Sequence, residues 1–216
     1  MSVMSLSTPS LFLTACKRPF ALLSALTLLL SVSLASAQAP KVTEATPTPA
    51  PATVEMPKVR FVTSKGSFVV ELNPEKAPIT VKNFLRYVDS GFYAGTTFHR
   101  VISSFMIQGG GFTPEMVKKE TYAPIPLEVN KGLSNLRGTI AMARTSDPNS
   151  ASSQFFVNVV NNRKLDVLGG GYAVFGKVIE GMETVDAIRA VATTRKGPYG
   201  DVPVENVVIQ SAERVK

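Results

Sequence analysis

Arg100 and Gln108 lie on either side of Ser103-Ser104 in the stretch Phe98-His99-Arg100-Val101-Ile102-Ser103-Ser104-Phe105-Met106-Ile107-Gln108. A turn at the two serines would set Arg100 and Gln108 on one face of adjacent strands, with Phe105 and Met106 as an apolar wall beside them. An arginine and a glutamine next to such a wall, with no acid nearby in sequence, suit a groove that binds a neutral polar group beside an apolar ring. Two later runs, Ala141-Met142-Ala143-Arg144 and Ser153-Gln154-Phe155-Phe156, repeat the pattern of apolar residues with a polar end. Taken alone, each apolar run reads as core.

Other chemistries lack their residues. The only histidine, His99, sits in a strand-like run and reads as structural. A hydrolase built on His99 and Ser103 or Ser104 would have no evident third member and no oxyanion hole. Gly-x-Ser-x-Gly, the P-loop and His-Glu-x-x-His are all absent. Gly109-Gly110-Gly111 and Gly169-Gly170-Gly171 lack dinucleotide spacing and read as turns or places of close backbone approach. One Cys and one His are too few for a transition-metal centre or a disulfide framework, so no metal and no cofactor is expected. The net charge of +7 is interspersed, without a block of five like charges, which argues against nucleic acid as a partner.

The elements that must position these residues are short. Val59–Thr63 and Ser67–Asn73 flank Lys65-Gly66 as a hairpin with one buried face. Pro78-Ile79-Thr80 opens a helix, Val81, Phe84, Leu85 and Val88 recur on one side of it, and Gly91 stops it. Strand-like runs follow at Thr97–Ile102, Phe105–Gln108, Thr139–Ala143, Gln154–Val159 and Ala173–Val178. A second helix is expected from Met182 to Val191 and a last strand from Val204 to Gln210. Short strands, Gly/Pro punctuation and only two helices point to a mainly β fold: a closed eight-stranded antiparallel barrel capped by two α-helices.

The N-terminal part has a different composition. Lys17-Arg18, the apolar run Phe20–Leu34 and Ala35-Ser36-Ala37 are the three parts of a secretory signal, so 1–37 is expected to be removed and the chain exported. The location is then periplasmic, or extracellular in a source with one membrane. Cys16 precedes the apolar run, the wrong order for lipid attachment. The run is also short for a membrane span, so no stable membrane insertion is expected after cleavage. Residues 38–57 carry Pro40, Pro47, Pro49, Pro51 and Pro57 with no aromatic residue, the composition of an extended, disordered linker. The functional domain is then 58–216, expected to be a monomer because no heptad pattern appears.

This domain resembles the cyclophilin family of peptidyl-prolyl cis–trans isomerases, and most of all its periplasmic bacterial branch. The resemblance rests on FHRVISSFMIQGGGFT, GTIAMAR, SQFFVNV, YAVFGKVIEGMETVDAI and GPYGDVPVENVVI, in that order and spacing. It implies an eight-stranded barrel with two helices and isomerase activity on proline-containing polypeptides, here unfolded exported proteins. It also implies site residues. The catalytic pair would be Arg100 and Gln108. The proline pocket would be Phe105, Met106, Phe156 and Leu165, with Tyr172 where eukaryotic members carry a histidine. Ala143, Arg144 and Gln154 would hold the residue before the proline, partly through backbone groups. Lys164 stands where many relatives carry Trp or Phe, which predicts weak cyclosporin binding and motivates a second reading, a binding module with little catalysis. Ser103-Ser104 replaces the usual Pro-Gly, and the loop Val167–Gly171 is short.

Overall fold

β1 (Lys58–Thr63) and β2 (Gly66–Leu72) pair antiparallel in register from Lys58↔Glu71 to Thr63↔Gly66. At their turn the Thr63 hydroxyl donates to the Gly66 carbonyl (2.7 Å). Gly66 has φ +120°, and a Cβ there would lie 2.8 Å from the Thr184 hydroxyl. Glycine thus lets the hairpin close against the second helix. The computed structural model describes residues 56–129 and 131–215. The expected signal segment, and the linker up to residue 55, lie outside them.

α1 (Pro78–Asp89) follows, with proline in its first turn, where a missing N–H costs nothing. No side chain of its own caps it. Glu128, far along the chain, accepts from the Ile79 and Thr80 amides (3.1 and 2.6 Å) and from the Thr80 hydroxyl (2.7 Å). A carboxylate there satisfies orphan donors and complements the helix dipole. Val81, Phe84, Leu85 and Val88 are buried, as the periodicity predicts.

β3 (Thr96–Thr97), β4 (Arg100–Ile102), β5 (Met106–Gly109), β6 (Thr139–Met142), β7 (Phe155–Asn158) and β8 (Val174–Glu180) come next, then α2 (Met182–Arg189), β9 (Thr193–Lys196), β10 (Tyr199–Pro203) and β11 (Val208–Val215). Nine strands form one antiparallel sheet in the order β3-β11-β1-β2-β8-β6-β7-β5-β4, and β9 and β10 form a separate hairpin. Among the described residues no helix is long and apolar enough to cross a membrane.

The mainly β, two-helix architecture stands as expected, with three corrections. The run Thr97–Ile102 is not one strand: Phe98 and His99 break it into β3 and β4, which lie at opposite ends of the sheet. The eight expected strands therefore become nine, and the sheet curls into a half-barrel whose ends are joined by the chain and not by a ladder. The exposed hairpin β9–β10 has no apolar alternation to announce it, since three of its first four residues are exposed. The last strand starts later than Val204, at Val208, because its partners are the β1 residues Lys58–Thr63 and the β3 pair Thr96–Thr97.

Aromatic rings fill the inside of the curled sheet. Phe61 stacks on Phe68 with ring centres 4.9 Å apart, and Phe84 of α1 meets Phe155 edge-on at 5.9 Å. Side chains alternate along a strand, so a strand with one face on this core must show its other face elsewhere. Ile107, Ile140, Phe155 and Val157 point into the main core. Their neighbours Met106, Ala141 and Phe156 point out, yet are also buried, in a second cluster with Leu165 and Val174. That is why every residue of β7 is buried. The apolar runs of β5, β6 and β7 thus serve two apolar environments, and the outer one is where the candidate site lies.

Candidate functional site

The register of the ladder places the site residues in a row. Arg100 of β4 lies directly across from Gln108 of β5, Gln108 across from Phe156 of β7, and Phe156 across from Ala141 of β6. Cross-strand partners share a face, so one line across the sheet carries a guanidinium, a carboxamide, a phenyl ring and a methyl group. The tight turn at Ser103-Ser104, closed by the Phe105 amide donating to the Ile102 carbonyl (2.9 Å), sets the Arg100–Gln108 pairing. Met106 lies two residues before Gln108 and therefore on the same face.

This row floors a cavity of about 100 Å³ lined by Arg100, Phe105, Met106, Gln108, Ala143, Arg144, Phe156, Leu165 and Tyr172. Of the ten residues picked out in the sequence, Gln154 alone is absent from the lining. It stands one step away. Gln108 Nε2 donates to Gln154 Oε1 (3.0 Å), and the Ala143 amide donates to the Gln154 carbonyl (3.0 Å). Gln154 also lines a second hollow of about 140 Å³ with Lys118, Thr145, Ser150 and Ser152, which shares Gln108, Ala143 and Arg144 with the first. The glycine run behind them permits this closeness. A Cβ on Gly110, whose φ is +79°, would stand 2.8 Å from Tyr93 and 2.9 Å from Phe155, and one on Gly111 would overlap Gln154.

Arg144 lines the cavity as expected and has a further engagement. Its side chain clasps the loop after the 3-10 turn Arg163–Asp166. The guanidinium donates to the carbonyls of Gly169 (2.7 Å) and Gly171 (2.9 and 3.1 Å), and it sits over the Tyr172 ring at 4.4 Å. Tyr172 meets Phe156 edge-on at 5.9 Å. The short Val167–Gly171 loop is thereby bound to the pocket wall. Lys164 is exposed and does not line the cavity.

Beneath the pocket runs a polar network that sequence reading missed. Asn162 donates to the Phe105 carbonyl (2.7 Å) and to Asn158 Oδ1 (2.8 Å). Asn158 donates to Asn135 Oδ1 (3.1 Å), and Asn135 to Asp166 Oδ1 (2.8 Å) and the Tyr172 carbonyl (3.3 Å). Burial pushes the Asp166 carboxyl up. Hydrogen bonds from Ser134 and Asn135, with Arg163 nearby, outweigh burial and hold it below its ordinary range. The available signal was Asn158, an amide inside the apolar run Phe155–Val160. His99 lies outside the pocket, 6% exposed, its ring 4.6 Å from Phe112.

A larger concavity, about 760 Å³, lies beside α1 between Arg86, Tyr122 and Arg214. Three of its charged groups are already engaged: Arg214 pairs with Asp89 at 2.6 Å, and Arg86 covers the Tyr122 ring at 3.4 Å. The smaller cavity combines an unsaturated donor with apolar walls, and it is the better candidate despite its size. It offers room for one ring and a charged donor at its edge, and its lining holds no Ser, Cys, His, Asp or Glu.

Residues 58–214 match the model of the cyclophilin type peptidyl-prolyl cis-trans isomerase/CLD family. The chain is 53% identical over 170 residues to peptidyl-prolyl cis-trans isomerase A of Dickeya dadantii, covering 78% of this chain and 90% of that one. It is 54% identical over 158 residues to peptidyl-prolyl cis-trans isomerase B of Escherichia coli, covering 71% and 96%. Its fold is similar to a Cryptosporidium parvum cyclophilin type isomerase solved in the presence of the dipeptide Ala-Pro. That likeness has a TM-score of 0.65 and 30% identity, and it covers 74% of this chain and 99% of that one.

Proposed function

The chain belongs to the cyclophilin-type peptidyl-prolyl cis–trans isomerases, and from that premise we propose that Arg100 drives the isomerisation of X–Pro bonds in exported polypeptides as they fold. The observation that carries the reading is the direct register of Arg100 with Gln108 at the edge of an apolar pocket.

The task is modest. Resonance gives the amide a rotation barrier of about 18–20 kcal/mol. The cis and trans forms of X–Pro differ by only about 0.5–1 kcal/mol. Midway through rotation the nitrogen lone pair localises and becomes an acceptor. A guanidinium is always charged and always a donor. Aimed at that nitrogen over an apolar floor, it binds the twisted amide better than either planar form, which is the condition for lowering a barrier. Phe105, Met106, Phe156 and Leu165 hold the prolyl ring. Gln108, steadied by Gln154, holds a flanking carbonyl while the other half of the bond turns. Roughly 3–6 kcal/mol from these sources gives roughly 10²–10⁴-fold.

Arg100→Ala is expected to leave unfolding unchanged and to slow isomerisation of a short Ala-Pro peptide by at least about tenfold. Wild-type turnover in that variant overturns the mechanism, whereas peptide binding by the unsubstituted chain without rate enhancement favours the binding-module reading. Export follows from residues 1–37, and amino-terminal sequencing of the processed chain is expected to begin at Gln38. Because Lys164 offers a flexible stem where an aromatic face would stack, cyclosporin is expected to bind weakly and Lys164→Trp to tighten it. Titration of both proteins checks this.

A further inference from the structure

Asp201 faces the guanidinium that the proposed mechanism uses. Its Oδ2 lies 3.8 Å from Arg100 Nε, and among the described residues it is the one carboxylate paired with Arg100. The Arg100 guanidinium has no hydrogen-bond partner among those residues, and both side chains are about half exposed. A half-exposed arginine with no other anchor samples several rotamers. A carboxylate charge on the Nε side biases that sampling by ion pairing and leaves both terminal nitrogens free to face a substrate.

The local backbone is arranged around this placement. Tyr199 pairs with Lys196 and Val202 with Thr194, and the register shifts between them, so Gly200 and Asp201 form a bulge in β10. Bulges re-aim a side chain. Asp201 has φ +59°, one of only two non-glycine residues with positive φ among the described residues. Glycine takes that conformation most easily and Asp is among the few other residues that also tolerate it, so the bulge carries a carboxylate here where the backbone alone would be served by glycine. The hairpin is also fixed as a support. Val202 is buried, Tyr199 meets Phe112 at 5.4 Å, and β10 packs against β4, the strand that carries Arg100.

We propose that Asp201 is a positioning residue for the isomerase reaction: from the bulge in β10 it holds Arg100 by Nε and presents the terminal nitrogens of the guanidinium to the twisted amide. This inference rests on the reading of Arg100 as the group that stabilises that amide.

The test uses the exported chain with Arg100→Ala, Asp201→Asn, Asp201→Gly and the double variant Arg100→Ala/Asp201→Asn, assayed on an Ala-Pro peptide alongside thermal unfolding. A merely structural Asp201 predicts normal turnover for Asn, and normal turnover with equal or higher stability for Gly, which relieves the positive φ. The positioning role predicts that both substitutions lower kcat about fivefold at nearly unchanged KM while stability holds or rises. In the Arg100→Ala background Asp201→Asn should have no further effect, as two groups acting through one another are not additive. Wild-type kcat in Asp201→Asn and Asp201→Gly beside a crippled Arg100→Ala overturns the role of Asp201 alone. Equal losses from Asp201→Asn with and without Arg100 overturn it as well. Wild-type turnover in Arg100→Ala overturns the arginine mechanism, and this proposal with it.

Discussion

His99 and Arg100 are adjacent in sequence and have opposite relations to water. Burial pushes the His99 pKa down to about 4; a backbone hydrogen bond involving Thr97 raises it somewhat and the charge of Arg100 lowers it further. Its Nδ1 is buried without a partner, so the ring is held neutral by its surroundings. A histidine whose folded pKa lies below its unfolded value near 6.5 takes up its proton more readily in the unfolded chain. Its contribution is therefore complete above about pH 6.5 and is lost as pH falls toward 4, on the order of 3 kcal/mol in all. Denaturant unfolding is expected to weaken over that window, and His99→Phe is expected to flatten the slope. Catalysis should not follow the same curve. A mechanism that rests on a guanidinium and carboxamides has no titrating group, so kcat/KM is expected to stay level between about pH 5.5 and 8 while the unfolding midpoint moves. A bell-shaped profile would point to a proton transfer that the site is not built to perform.

At the scale of elements, the pocket depends on how a 3-10 turn and a strand end are held together. Leu165 stands on the turn Arg163–Asp166, Phe105 in the turn just before β5, and Asn162 links them through the Phe105 carbonyl and Asn158. Asn135 and Asn158 are fully buried, so an apolar replacement leaves their partners unpaired in a place water cannot reach. Asn158→Leu is expected to cost about 1–3 kcal/mol in denaturant unfolding and to raise KM more than it lowers kcat, because it loosens the ring pocket without touching Arg100. Unchanged stability would mean that the network is replaceable packing. The contrast between this network and the row from Arg100 to Ala141 marks what the sequence could reveal. The pairing of Arg100 with Gln108 was legible because a two-serine turn between strand-like runs sets them on one face, whereas Phe156 was marked only by the family resemblance and Ala141 read as core. The network was not legible, because an asparagine reads as a loop residue until its partners, distant in sequence, are known. The hairpin β9–β10 escaped for a related reason: β9 is polar and almost wholly exposed, and only Val202 and Pro203 of β10 are buried, so the hairpin's place is set by those two, by Tyr199 on Phe112 and by packing against β4. The break at Phe98-His99 was hidden inside the β-rich run Thr97–Ile102, which read as one strand.

Over the whole molecule, the two ends of the domain meet in the sheet. β1 sits between β2 and β11, with Lys58 across from Val215, and β11 also pairs with β3. Losing β11 strips one edge from β1 and its ladder from β3, removes Ile209 and Ala212 from the core, and uncovers Val59 and Phe61. A chain ending at Asn206 is therefore expected not to fold cooperatively. The other end should tolerate a cut, up to a defined point. The Pro57 carbonyl accepts from the Leu72 amide at 2.8 Å, so Pro57 belongs to the folded unit although it closes the proline-rich linker. A chain starting at Met56 is expected to match one starting at Gln38 in unfolding midpoint and, within about twofold, in kcat/KM. One starting at Arg60 removes that contact and the first cross-strand pairs of β1, and is expected to lose stability. Cys16 is the only cysteine, so both longer chains should unfold identically with and without reductant. If the chain from Gln38 turned over a proline peptide several-fold more slowly than the chain from Met56, the linker prolines would be competing for the groove, and the separation of linker from catalytic unit would fail.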